Sequence, residues 1–180
     1  EITKLMDECK AMGIPTKGPD VNESYQKFGA SHHGDIRFGI AAIKGVGEAA
    51  ADAIVNEREK NGPYTDIFNF VERVSLSNVN RKCMENLVLS GAFDCFPKIK
   101  REDFFEKNSK GDVFLDALVR YGQVYQSEMQ QQRTSLFAGI EEVEIQHPAI
   151  PKAEPWSDIE KLNRERDLVG IYISAHPLDE

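Results

Sequence analysis

The sequence predicts a small, mostly α-helical domain, preceded by an irregular segment and followed by an acidic, proline-containing linker. Apolar residues recur at intervals of three and four through the middle of the chain, which is the period of an amphipathic helix. Glycine, proline and asparagine separate these stretches, and glutamate and proline become frequent after residue 133. We therefore divide the chain into an irregular connector, a helical domain, a flexible linker and a terminal helix, which cover residues 1–35, 36–132, 133–156 and 157–180.

Length and composition limit the class of protein. The chain has 180 residues, of which 41% are hydrophobic, enough for the core of one ordinary domain. It has no run of about 18 apolar residues and no signal peptide at its start, so we expect no membrane partner. Because it opens at Glu1 rather than Met, we expect a piece of a longer protein.

The cysteines and histidines form no recognisable framework. The three cysteines are widely spaced, and neither they nor the four histidines follow a metal-ligand pattern. We therefore expect no disulfide, no metal and no cofactor, and a reducing, cytoplasmic environment.

The net charge of −8 is unevenly distributed along the chain. Residues 1–35 carry −2 and residues 111–180 carry −7, whereas the twelve basic and eleven acidic residues of 36–110 leave +1. A broad basic field that attracts nucleic acid over a distance is therefore excluded. Any binding of nucleic acid by the central third must be local and must rely on the backbone.

The helical domain is organised around a helix, a tight turn and a second helix. Apolar residues mark the two helical faces, namely Ile36, Ile40 and Ile43 on the first and Val46, Ala50 and Ile54 on the second. We expect Gly45 and Gly47, which lie between the faces, to let the backbone reverse, because glycine accepts φ > 0 without steric cost. The alternative is a plain turn between two packed helices. The alanines at 49–51 favour a hairpin, because small side chains let helices approach closely.

The turn has the spacing of a helix-hairpin-helix motif, with Ile43, Gly45, Val46, Gly47 and Ala51 at its positions. The first N–H groups of a helix have no partner within it and lie at the positive end of its dipole, so they form a site for phosphate. We predict that this hairpin holds the backbone of duplex DNA without reading bases. The candidate residues are Lys44, which adds a cation, and Gly45, Val46, Gly47, Glu48 and Ala49.

Helix-capping and helix-breaking residues predict the secondary-structure elements around the hairpin. A helix over 2–12 stops at Gly13, and Ile36-Arg37-Phe38 is either a short strand or the lead-in to the hairpin. Asn61-Gly62-Pro63 ends the second hairpin helix, after which a helical face resumes with Thr65 as its N-cap.

The next predicted helix has Asn80 as its N-cap and ends at Gly91, where a left-handed residue is typical. Arg81 and Lys82 lie in its first turn, the unfavourable end of the dipole for a cation. We take this as an indication that an anion binds there and include both among the DNA-binding candidates. The alternative is that both are solvated surface side chains.

Two further helices are predicted beyond this point. One covers residues 111–132, and the other begins at Ser157, which forms a capping box with Glu160, and ends at Gly170. Between them, Leu136 and Phe137 form an isolated apolar pair in the linker. Such a pair either anchors a short peptide in a partner's pocket, at roughly 1.5–3 kcal/mol for each buried side chain, or folds back on the long helix.

A series of short motifs extends over nearly the whole chain. In order they are PDVNES at 19–24, IRFGI at 36–40, AIKGVGE at 42–48, GPY at 62–64, ME at 84–85, SGAFD at 90–94, SLF at 135–137, GIYIS at 170–174 and HPL at 176–178. As a series they resemble the family of bacterial DNA polymerase III alpha subunits.

The resemblance implies that residues 1–35 belong to the end of the fingers and that the hairpin belongs to the clamp-binding domain, with an OB-fold beyond. It implies a parent DNA-directed DNA polymerase whose magnesium-binding aspartates lie elsewhere, so no catalytic residue and no metal ligand is assigned here. By resemblance, Lys44 to Ala49 hold the primer-template duplex, and a sliding clamp binds the peptide of Gln132, Arg133, Ser135, Leu136 and Phe137. The family places a glutamine two residues before the serine, where this chain has Arg133 with Gln132 one residue earlier.

Two other functions compete with this DNA- and clamp-binding module. Helix-hairpin-helix elements also occur in base-excision glycosylases, in which Lys44 and Asp66 would do the chemistry, but no aromatic cluster is arranged for a flipped base. The other alternative is a protein-interaction scaffold that never touches DNA, which the −7 charge of the tail favours.

Overall fold

The computed structural model describes residue 13 and residues 16–30, 36–134 and 145–169. This part of the chain is mostly helical, as predicted. Its α-helices are α1 (Glu48–Asn61), α2 (Ile67–Arg73), α3 (Arg81–Leu89), α4 (Phe114–Thr134) and α5 (Asp158–Val169). Single 3₁₀ turns cover Ile40–Ala42 and Arg101–Phe105, and two-residue strands form β1 (Thr16–Lys17), β2 (Gly29–Ala30) and β3 (Ile36–Arg37). The helix predicted over residues 2–12 lies outside the described residues.

The strands form a small sheet of order β1-β3-β2 beside the helical domain. The central strand β3 is parallel to β1, with Thr16 opposite Ile36, and antiparallel to β2, with Ala30 opposite Ile36. The strand alternative for Ile36-Arg37-Phe38 is therefore confirmed for its first two residues.

The core is formed by side chains from α1 to α4 and from the segments that join them. Helices α2 and α4 pack closely at Gly122, where a Cβ would lie 2.8 Å from the carbonyl oxygen and 2.9 Å from Cβ of Val71. Aromatic rings fill the centre, with Phe93 in contact with Phe70 at 5.0 Å and with Phe104 at 5.8 Å between ring centroids.

Most of the predicted helix ends are correct. Asn80 caps α3 by accepting a hydrogen bond from Cys83 N at 2.9 Å, Gly91 follows its end with φ +89°, and Ser157 Oγ accepts from Glu160 N at 3.2 Å. The N-cap of α2 is Asp66 and not Thr65, because the Asp66 carboxylate accepts from Asn69 N at 2.7 Å.

The irregular segment 18–28 is bonded to the far end of α1. Arg58 is 5% exposed and donates from Nη1 to the carbonyl oxygens of Val21 and Ser24, at 2.9 and 2.7 Å. The side chain of Asn22 donates to Tyr64 O at 3.0 Å and accepts from Tyr64 N at 2.8 Å. The bonds of Asn22 join the PDVNES motif to the GPY motif, and those of Arg58 join the PDVNES motif to α1.

The predicted flexible linker over 133–156 needs correction at both ends. Residues 133 and 134 belong to the last turn of α4. Residues 145–156 have no helix or strand, but they lie against the domain because their rings find partners: His147 stacks on Phe68 at 4.2 Å, and Trp156 on Phe105 at 5.6 Å. The rest of the predicted linker, 135–144, lies outside the described residues.

Replacing Asn22 with Ala is expected to lower the free energy of unfolding by about 2–4 kcal/mol, because the backbone N–H and C=O of buried Tyr64 lose their partner. Urea denaturation followed by circular dichroism measures the change. The control is Asn56→Ala at an exposed position of α1. A loss of less than about 0.5 kcal/mol for Asn22→Ala would show that these bonds contribute little.

Candidate nucleic-acid interface

The predicted hairpin is present, but its first arm is shorter than the sequence suggested. The spacing of Ile36, Ile40 and Ile43 predicted a helix, whereas Ile36 lies in β3 and the arm is the 3₁₀ turn Ile40–Ala42. The reason is that Ile36 is held between β1 and β2, which leaves only a few residues before the turn. The predicted apolar side chains are nevertheless buried, with Ile40, Ile43, Val46, Ala50 and Ile54 all at most 3% exposed.

The two glycines of the turn have different roles. Gly45 has φ +83°, so it makes the reversal that L side chains resist. Gly47 has φ −77° and ψ 169°, which is ordinary extended backbone, and it is the N-cap of α1. The expectation that both glycines reverse the chain is therefore wrong for Gly47. Its lack of a side chain leaves the start of α1 open, since none of the described residues other than its chain neighbours comes within 4 Å of where its Cβ would be.

The residues at the turn and at the start of α1 are exposed, and their amides have no hydrogen-bond acceptor among the described residues. Among the hydrogen bonds of the described residues, Gly45, Gly47, Glu48 and Ala49 donate none from their backbone N–H, and all four residues are exposed. These groups lie at the positive end of the α1 dipole. The geometry is that of an anion site at a helix N-terminus.

The other two predicted hairpin residues flank these amides. Lys44 is exposed, and its own N–H donates to Leu168 O of α5 at 2.9 Å. Val46 is 3% exposed, so its side chain fixes the turn to the core and does not contact a ligand. Lys44 therefore places an exposed ammonium group beside the turn.

Arg81 and Lys82 stand at the start of α3 and are paired with carboxylates. Arg81 contacts Asp116 at 2.5 Å and Glu85 at 2.7 Å, and the hydrogen bond to Asp116 raises its pKa above the ordinary value. Lys82 lies 3.6 Å from Glu85, and its side chain is 72% exposed. Of the two, Lys82 is the more available to an anion, and a role in DNA binding stays a prediction for both.

The predicted clamp peptide is only partly within the described residues. Gln132 is half-buried and Arg133 is exposed, and both lie in the last turn of α4. Ser135, Leu136 and Phe137 lie outside the described part of the chain.

Asp66, Cys83 and Cys95 are each held by the fold in a way that bears on their reactivity. Asp66 caps α2, as described above, so it is not free to act as the acid or base of a glycosylase. Burial raises the pKa of the Cys83 thiol to about 11 and also raises that of Cys95, so both stay protonated and weakly nucleophilic at neutral pH. Within the described ranges, no three His, Cys, Asp or Glu residues are grouped so that they could hold a metal ion. None of the helices described is long and apolar enough to span a membrane.

Asn86 is the residue of this site that the sequence analysis missed. It lies on α3 with 5% exposure, and a Cβ on Gly45 would be 2.1 Å from its Nδ2. The available signal was that Asn86, one of two polar residues between the apolar Met84 and Leu87, has low helix propensity.

Comparisons with known proteins agree with this geometry. The family model described as helix-hairpin-helix motif matches residues 13–103. The chain is 36% identical to DNA polymerase III subunit alpha of Chlamydia trachomatis, over 99% of this chain and 14% of the relative. It is 34% identical to the Vibrio cholerae protein and 32% identical to the Escherichia coli protein of the same name, each over 100% of this chain and 15% of the relative. The chain thus spans 14–15% of the length of these relatives.

The two glycines give a matched pair of variants. Gly45→Ala is expected to lower the free energy of unfolding by about 2–4 kcal/mol, because φ is positive and the new Cβ meets Asn86. Gly47→Ala, with an extended backbone and open space, is expected to change it by less than about 1 kcal/mol. Urea denaturation of both variants checks the difference, and equal losses would contradict the assignment of the reversal to Gly45 alone.

Proposed function

Because the chain belongs to the helix-hairpin-helix family and corresponds over its length to a segment of DNA polymerase III alpha subunits, we propose that it holds duplex DNA for a replicative polymerase. The observation that carries this proposal is the set of unpaired, exposed amides at Gly45, Gly47, Glu48 and Ala49, beside the Lys44 ammonium. They form a site for one backbone phosphate. Since phosphates carry no base information, binding is independent of sequence and suits a primer-template that moves through the enzyme.

The charge of the chain supports a local contact. The segment 36–110 has a net charge of only +1, so attraction over a distance is weak. The hairpin must therefore bind through short-range hydrogen bonds and the helix dipole, each modest when exposed to solvent. Affinity for a long duplex comes from the combination of this site with contacts made elsewhere in the parent protein.

The parent protein is proposed to be the DNA-directed DNA polymerase that the names of the relatives describe, working in the cytoplasm with magnesium. The chain spans 14–15% of those relatives, and the proposal assigns no catalytic residue to it. Its contribution is to keep the duplex in place behind the active site.

The second part of the proposal is attachment to a sliding clamp through Gln132, Arg133, Ser135, Leu136 and Phe137. What supports it from the residues is the isolated apolar pair, which follows the end of α4 after one intervening serine. Burial of both anchors in a pocket contributes roughly 3–6 kcal/mol before the cost of ordering the peptide.

The competing functions have less support. A glycosylase needs Asp66 as a chemical group, whereas Asp66 caps α2. A scaffold that never contacts DNA leaves the four exposed amides without a ligand other than water. The salt dependence of duplex binding discriminates between a scaffold and a DNA-holding module, since a phosphate contact weakens as ionic strength rises.

Gly47→Val is expected to weaken duplex binding by tenfold or more, because the isopropyl group covers the open start of α1, while the urea midpoint changes little. Fluorescence anisotropy with a labelled duplex at several salt concentrations measures this. Asn56→Val, at an exposed position of the same helix, is the control and is expected to bind as wild type does. Wild-type binding that is absent even at low salt would favour the scaffold.

Calorimetry with a purified bacterial sliding clamp tests the tether. The wild-type chain is expected to bind, and the double variant Leu136→Ala, Phe137→Ala is expected to lose that binding while it still binds duplex DNA. If the wild-type chain does not bind the clamp, the attachment point lies elsewhere in the parent protein and only the DNA-holding proposal stands.

A further inference from the structure

Asn86 is a buried polar side chain whose partner the fold does not supply. It is 5% exposed, and its carboxamide makes no hydrogen bond within the part of the chain that the structure describes. A buried amide without a partner is destabilising, so such groups in folded proteins call for an explanation.

The carboxamide of Asn86 is not counted among the fully enclosed polar groups. Among the described residues, the fully enclosed side-chain atoms that lack a hydrogen-bond partner are Nε of Arg37 and the two carboxylate oxygens of Glu102. Oδ1 and Nδ2 of Asn86 are not among these enclosed atoms, and the residue as a whole is 5% exposed.

The carboxamide of Asn86 lies beside the turn of the hairpin. A Cβ on Gly45 would lie 2.1 Å from Nδ2 of Asn86 and 3.3 Å from its Cγ, so the carboxamide fills the space beside the turn that glycine leaves open. The free amides of Gly45, Gly47, Glu48 and Ala49 belong to the same turn and the start of α1. Asn86 belongs to α3, so it approaches the turn from a second helix.

We propose that Nδ2 of Asn86 donates a hydrogen bond to the backbone phosphate held by the amides of the α1 N-terminus. A phosphate has more acceptor sites than the amides of one helix can fill from one side, and an amide N–H from α3 supplies a donor from another direction. The inference rests on the proposed function, since it adds a residue to the same DNA site. The phosphate site is then formed by donors from two helices, α1 and α3, which the fold holds together.

Asn86→Asp is the informative variant. The carboxylate has nearly the shape of the carboxamide, but it has no hydrogen-bond donor. Its negative charge repels phosphate, although the same charge interacts favourably with the positive end of the α1 dipole. We expect the Kd for a labelled duplex to rise at least tenfold, while circular dichroism shows that the variant keeps its helical fold. Asn56→Asp, which adds the same charge at an exposed position of α1, is expected to change the Kd by less than about twofold.

A measurement on the wild-type chain makes the test independent of any variant. The side-chain ¹⁵N–¹H₂ resonances of Asn86, assigned by NMR, are expected to shift when duplex is added. If these resonances do not shift, or if Asn86→Asp leaves the Kd unchanged, Asn86 does not contact the phosphate. The proposed function stands in that case as long as the wild-type chain binds duplex. A wild-type chain that binds no duplex at low salt would overturn both.

Discussion

The shape of the hairpin depends on the two hydrogen bonds by which Arg58 holds the loop that precedes it. Arg58 lies in the last turn of α1, and its guanidinium binds the carbonyl oxygens of Val21 and Ser24. The next residues of that loop accept bonds from the first arm of the hairpin: Ile40 N donates to Tyr25 O at 2.9 Å, and Ala41 N to Gln26 O at 3.0 Å. The end of α1 thereby fixes the arm that leads into its start. The exposed amides keep their arrangement although the first arm is a single 3₁₀ turn.

The sequence was sufficient for those features that depend on neighbours along the chain. The apolar period placed Ile43, Val46 and Ala50 on buried faces, and capping chemistry located Asn80 and Ser157. Periodicity failed at Ile36, since pairing with two strands distant in sequence overrode a helical spacing. Composition predicted a flexible linker that includes residues 145–156. His147 and Trp156 instead stack on Phe68 and Phe105, and no local sequence pattern reveals these contacts.

The candidate site likewise has features that the local sequence predicts and others that depend on tertiary packing. Local spacing predicted its glycines and its amides, but it did not distinguish Gly45, which reverses the chain, from Gly47, which leaves the helix end open. That distinction depends on backbone angles set by the packing of the turn. The sequence marks Asn86 as a polar residue in an apolar stretch, but it does not reveal that Asn86 lies beside Gly45, because the packing of α3 against the hairpin creates that proximity.

Helix α5 adds a further constraint on the hairpin. It is docked through Glu165, which is 1% exposed and lies 3.3 Å from Arg101, and its last turn accepts the hydrogen bond from Lys44 N. The same turn therefore faces α5 on one side and offers its free amides on another. In terms of thermodynamic linkage, two binding events that order one turn assist each other by the same factor in both directions. If the docking of α5 raises the affinity of the turn for a phosphate, then a bound phosphate raises the affinity with which α5 docks by the same factor.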